Sequence, residues 1–228
     1  PLNGVVGFLD ILDESEKDPE KKEYLRLARA SATHLLGLIN DILDFSKIEA
    51  RELSLEQIPL SISDTIEEAI ACCLPQLGMK AIEIVSSMAA DVPAVVVGDP
   101  SRVKQILINL IGNAIKFTPE SGGIGLRVDV EELGSDTVTL KFAVTDSGIG
   151  ISQDVRDRIF QAFSQADKSN TIEYGGNGLG LSIAAKLVAL MGGEIWVESI
   201  VNVGSVFHFT LELGMGTDLK LGQEPGPD

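Results

Sequence analysis

Between Gln105 and Thr118 the chain reads QILINLIGNAIKFT, the stretch that most narrows what it can fold into. Ile106, Leu110, Ala114 and Phe117 recur at helical spacing, which predicts an apolar helix face. Asn109, Asn113 and Lys116 then share a neighbouring stripe. Two amides and an ammonium in a row suit a magnesium-bound polyphosphate, because magnesium takes oxygen ligands and shares its shell with phosphate, while lysine is a mobile point charge. The same letters also describe a core helix with a solvated polar edge, the commoner meaning of so short a pattern.

Two glycine-rich segments favour the first meaning. Asp146-Ser147-Gly148-Ile149-Gly150-Ile151 follows the alternating run Val138 to Thr145, where a strand should give way to a turn. A carboxylate there can accept from adenine's exocyclic amine, whereas guanine would present an acceptor of its own. Gly148 and Gly150 would let a flat base approach the backbone. Gly175-Gly176-Asn177-Gly178-Leu179-Gly180-Leu181-Ser182 then opens a helix expected to reach about Met191. Glycines at a helix start leave N–H groups free for phosphate.

In that order, the Asn-x-x-x-Asn-Ala-x-Lys-Phe-Thr helix, the Asp-x-Gly-x-Gly-Ile turn and the Gly-x-Gly-Leu-Gly-Leu loop resemble the N, G1 and G2 boxes of sensor histidine kinases. Phe160 to Asp167 is similar to the F box, Asn40 to Ala50 resembles the end of the family's dimerisation hairpin, and Pro1-Leu2-Asn3-Gly4 looks like the tail of its H box. The resemblance runs from residue 1 to about 213. It implies an α+β chain: a helical hairpin over 1–53 that forms a four-helix bundle in a homodimer, then a two-layer α/β sandwich of the gyrase, chaperone and histidine kinase type over 54–216. A linker would follow over 217–228.

The hairpin is also legible without the resemblance. Leu2, Val5, Leu9 and Leu12 keep a stripe until Glu14 to Asp18, Asp18-Pro19 reads as a cap with a first-turn proline, and Leu25, Ala28, Ala32, Leu35, Ile39 and Ile42 continue in steps of three and four. That second helix is expected to reach about Leu53, a length that favours a bundle. Two helices bury too little apolar surface alone, so a second copy should complete it. Beyond it, Leu53, Leu55 and Ile58 predict a short strand before Pro59, and Ser61 to Leu74 a helix. Asp99-Pro100 repeats the cap device ahead of the central stretch. Strands are expected near 124–132, 138–145, 194–199 and 205–213, with a helix near 153–160.

A net charge of -16 argues against nucleic acid as a partner, and obliges any bound polyphosphate to rely on local N–H groups, magnesium and lysine. No signal peptide or membrane-spanning run is visible, so the segment is expected to be cytoplasmic, with any membrane anchor outside it. Adjacent Cys72 and Cys73 read as reduced residues of a helix face.

Residue by residue, the resemblance implies ATP and Mg2+ as ligands. Asn113 would bind the metal, Asp146 adenine, Lys116 a phosphate, and Phe117 the base. Gly148, Gly150, Ile151, Phe160, Gly176, Gly178, Leu179, Gly180 and Leu181 would line the nucleotide. Hydrolytic relatives place a glutamate where Asn109 stands; an amide cannot take a proton from water, so Asn109 suits a site that saves the γ-phosphoryl group for a histidine. That acceptor would lie five residues before the position of Pro1, and neither His34 nor His208 takes its place, so stable autophosphorylation of residues 1–228 is not expected. A receiver domain and an upstream sensor are the implied partners.

The lid departs from the pattern. Ile172 and Glu173 stand where two cations are usual, and Lys168 is the nearby substitute. Such a lid leaves open a degenerate nucleotide-binding scaffold that regulates a partner without phosphoryl transfer.

Overall fold

The structure is a computed structural model that describes residues 2–50, 52–78, 80–162 and 178–215. Lys168, Gly176 and the lid positions Ile172 and Glu173 lie outside the described residues, as does the 217–228 linker. Contacts divide the chain into Pro1–Leu53 and Ser54–Asp228.

The first unit is a hairpin of α1 (Leu2–Ser15) and α2 (Pro19–Glu49). Asp18 caps α2 by accepting from the Glu20 N–H at 3.0 Å, with Pro19 at the first turn, where its missing N–H costs nothing. The helix stops at Glu49 rather than near Leu53, because past it the Glu52 N–H bonds the Lys47 carbonyl, five residues back, at 2.9 Å, closing the end instead of continuing the i to i−4 series. Asp10 and Arg29 pair across the hairpin at 3.0 Å. None of its described side chains is fully buried, and Phe8, Ile11 and Ile42 are more than half exposed.

The second unit carries β1 (Ile58–Leu60), α3 (Ile62–Cys73), the 3₁₀ turn Leu74–Leu77, β2 (Glu83–Met88), β3 (Val96–Gly98), α4 (Pro100–Phe117), β4 (Gly123–Leu133), β5 (Thr137–Asp146), α5 (Gln153–Arg156), α6 (Gly180–Leu190), β6 (Ile195–Ile200) and β7 (Gly204–Met215). The sheet order is β1-β3-β7-β5-β4-β2, with β6 beside β7; among the described residues β2 and β4 alone run parallel. One sheet face bears Leu126, Val128, Leu140, Phe142, Phe209 and Leu211, all buried, and Phe142 stacks on Phe209 at 4.5 Å. The helical layer covers that face. From α4 come Val103, Ile106, Leu107, Leu110, Ile111, Ala114 and Ile115, each buried. A fully buried Leu or Ile contributes about 1.5–3 kcal/mol relative to exposure, so α4 is the main support of this core. Phe117, expected on its apolar face, is only half-buried.

Three expected elements differ. β1 begins at Ile58 and runs through Pro59, which an edge strand tolerates because one row of its N–H groups needs no partner. α5 is one turn long; past Arg156 the chain continues in i to i+3 turns, Arg158 N–H to the Val155 carbonyl at 3.1 Å and Gln161 N–H to the Arg158 carbonyl at 2.9 Å. β7 extends two residues beyond 213 because Gly214 and Met215 pair with β3. No described helix is long and apolar enough to cross a membrane.

Candidate functional site

Helix α4 starts where Asp99 accepts the Arg102 N–H at 3.1 Å. The second oxygen of Asp99 accepts the Glu56 N–H at 3.1 Å, so the cap also ties the strand-leading segment to the helix. With its apolar face fixed in the core, α4 holds Asn109, Asn113 and Lys116 half-buried along its rim. The Lys116 ammonium lies 4.8 Å from the Phe117 ring centre, and burial lowers its pKa from the usual lysine value.

Both glycine segments meet α4. At its C-terminal end the Phe117 carbonyl accepts the Ile149 N–H at 3.4 Å, and a Cβ on Gly148 would stand 2.6 Å from that carbonyl oxygen. Further towards the N-terminus, a Cβ on Gly180 would come within 3.1 Å of Asn109 Oδ1. Residues 109 and 117 are about 12 Å apart along a helix, with Asn113 and Lys116 between them. The Asp146 turn and the start of α6 are thereby brought to one helix edge.

Asp146 ends β5, is 6% exposed and accepts the Gly148 N–H at 2.8 Å. Burial raises its pKa; hydrogen bonds from the Gly148 N–H and from the backbone and hydroxyl of Ser205 oppose the rise. Ser205, its register partner on β7, was not legible as a site residue, since the pairing spans 59 positions and no local pattern marks it. The space a Cβ would take at Gly148 and Gly150 is occupied by the chain itself, Gly148 against Phe117 and Gly150 (φ +68°) against the Ile200 carbonyl. Gly204 likewise leaves room for the Asp146 carbonyl. Asn202 holds φ +61° and donates its N–H to the Ile149 carbonyl at 2.7 Å. Asparagine tolerates that left-handed turn better than other residues with a Cβ.

Gly178 adopts φ +67° before α6, whose N-terminus has no side-chain cap among the described residues. Leu179 is buried, and Gly180 and Leu181 are half-buried. Ile151 donates its N–H to Ser199 Oγ at 2.7 Å, and Phe160 meets Phe207 edge-on at 6.4 Å, so these two brace the turn and the sheet edge. His208 stacks on Trp196 at 5.0 Å on the opposite sheet face from the helices.

A cavity of about 570 Å³ also opens on that uncovered sheet face, lined by Val85, Gly123, Gly125, Thr145, Ile200 and Val203 among others. It reaches Asp146 but includes no residue of α4 or α6. The chemistry favours the edge, where the donors for anions and metal are gathered. Asn109 Nδ2 there is buried with no hydrogen-bond partner among the described residues, as a group awaiting a polar ligand would be. Among the described residues no cluster of three or more His, Cys, Asp or Glu could hold a metal. The donor set therefore fits a magnesium held by one amide and by phosphate oxygens, not a protein-only metal centre.

A nucleotide-binding α/β sandwich joined to a helical hairpin is the class this defines. Residues 98–215 match the family model of histidine kinase-, DNA gyrase B- and HSP90-like ATPases, and residues 1–51 match the His kinase A phospho-acceptor domain. The sensor histidine kinase GacS of Pseudomonas protegens is 47% identical over 228 residues, covering 100% of this chain and 24% of GacS. Full-length ShkA in complex with AMPPNP superposes with a TM-score of 0.77 at 34% identity, covering 95% of this chain and 44% of ShkA. ThkA in complex with the response regulator TrrA gives 0.59 at 25% identity, covering 92% of this chain and 57% of that one. The chain belongs to the histidine kinase family and spans about a quarter of the length of its curated relatives.

Proposed function

We propose that this chain is the ATP-dependent protein-histidine kinase core of a two-component phosphorelay. The observation that carries it is the single edge of α4 on which Asn109 abuts Gly180 and the Phe117 carbonyl meets Gly148 and Ile149. Asp146, hydrogen-bonded by Ser205 and Gly148, reads adenine; Phe117 flanks the base; Lys116 and the start of α6 hold phosphate oxygens. Asn113, with Asn109 beside it, is the side chain to hold Mg2+, which supplies charge neutralisation between phosphates. Lacking a carboxylate base at Asn109, the site positions the γ-phosphoryl group instead of activating water. Transfer runs to a histidine five residues before the position of Pro1 and then to a receiver aspartate, as the response-regulator complex of ThkA supports.

The hairpin, which buries none of its described side chains, is the surface on which two copies form a four-helix bundle. The test is to join the upstream helix with its histidine to residues 1–228 and incubate with γ-labelled Mg-ATP. Acid-labile, alkali-stable label on that histidine is expected. Tight ATP binding with no label would replace this reading by the regulatory scaffold, and steady phosphate release by a hydrolase.

A further inference from the structure

We infer that Lys80 is a positioning residue for nucleotide binding, acting through the C-terminal turn of α4. The inference rests on the nucleotide reading above.

A helix end leaves its last carbonyls without partners, and here each can be followed. The Ala114 carbonyl accepts the Thr118 N–H at 3.0 Å. The Ile115, Lys116 and Thr118 carbonyls all accept from Lys80 Nζ, at 3.0, 3.2 and 3.0 Å. An ammonium has three donors and no acceptor, so this tripod uses it fully, and its charge faces the negative end of the helix dipole. Phe117 O, the carbonyl Lys80 leaves over, accepts the Ile149 N–H. Gly148, packed against that carbonyl, donates to Asp146. Lys80 thus fixes the turn that carries Lys116 and seats the turn that orients Asp146, two groups assigned to opposite ends of the nucleotide. It reaches them from the connector before β2, where its own N–H is held by the Leu77 carbonyl at 2.9 Å.

Lys80→Met keeps the stem and removes the donors. With Mg-AMPPNP titrated calorimetrically into the chain, its dissociation constant should rise about tenfold, the equivalent of one charge-assisted hydrogen bond lost. The amide resonances of Gly148 and Ile149, to which Lys80 makes no hydrogen bond, should move in the nucleotide-free chain. Val96→Ala, in the buried β3 position paired with the far end of β7, is the control for lost stability and should leave both readings unchanged. Unchanged affinity in Lys80→Met, or an equal loss in Val96→Ala, would overturn the inference. Failure of the unaltered chain to bind would count against the nucleotide reading itself; unmoved Gly148 and Ile149 resonances would then still overturn the anchoring role.

Discussion

Asp146 shows how one residue is tuned by what surrounds it. Its acid form is favoured by burial and its carboxylate by the Gly148 and Ser205 donors, with burial the larger influence. Because the folded pKa lies above the ordinary 3.8, the folded chain holds this proton longer than the unfolded one. Its stability contribution therefore declines as pH rises from 3.8 through the folded value. On the proposed reading binding runs the other way, since there adenine's amine needs the ionised acceptor. Affinity for Mg-AMPPNP should begin to fall on acidification at a higher pH than an ordinary aspartate would set, as calorimetry at successively lower pH would show. Asp146→Asn should weaken binding most near neutral pH, where the wild-type carboxylate is ionised, and remove that dependence; undiminished affinity there would take Asp146 out of the site.

His208 gives the opposite sign. Burial lowers its pKa, Glu198 opposes and Lys141 adds to the effect. Unfolded chains then gain a proton first as pH falls below 6.5, so the stability present above that value is lost towards the folded pKa. His208→Gln should flatten the slope in urea unfolding over that range.

Among the elements, α4 joins core to site. Leu110, fully buried, should cost about 2–5 kcal/mol of unfolding free energy when truncated to alanine. Asp99→Ala removes a cap and the Glu56 tether together, and about 1–3 kcal/mol should be lost in the same denaturant titration. Much of this element was legible beforehand. Asp18-Pro19 and Asp99-Pro100 announced two helix starts because capping is settled within four residues. The amide stripe of α4 followed from its period alone. What could not be read is what depends on distant partners. Lys80 serves carbonyls 35 to 38 positions away, Ser205 meets Asp146 only through strand pairing, and the glycines of the Asp146 turn make room for backbone brought from β6 and α4. α5 and α2 ended early because turn hydrogen bonds, not apolar spacing, decided their last residues.

At the scale of the whole molecule, the hairpin's exposed stripe is the feature a monomer leaves unexplained. Leu35, Ile39 and Ile42 continue the apolar period of α2 yet remain exposed. Leu35→Glu with Ile39→Glu should shift sedimentation from dimer to monomer without unfolding the Ser54–Asp228 unit, whose core shares none of these residues. The central claim is that nucleotide binds on the α4 edge, and titrating Mg-AMPPNP while following backbone amide resonances tests it most directly. Shifts concentrated at Asn109, Asn113, Lys116, Gly148 and Leu179 to Ser182 are the predicted result; shifts confined to Gly125, Thr145, Ile200 and Val203 on the open sheet face would contradict it.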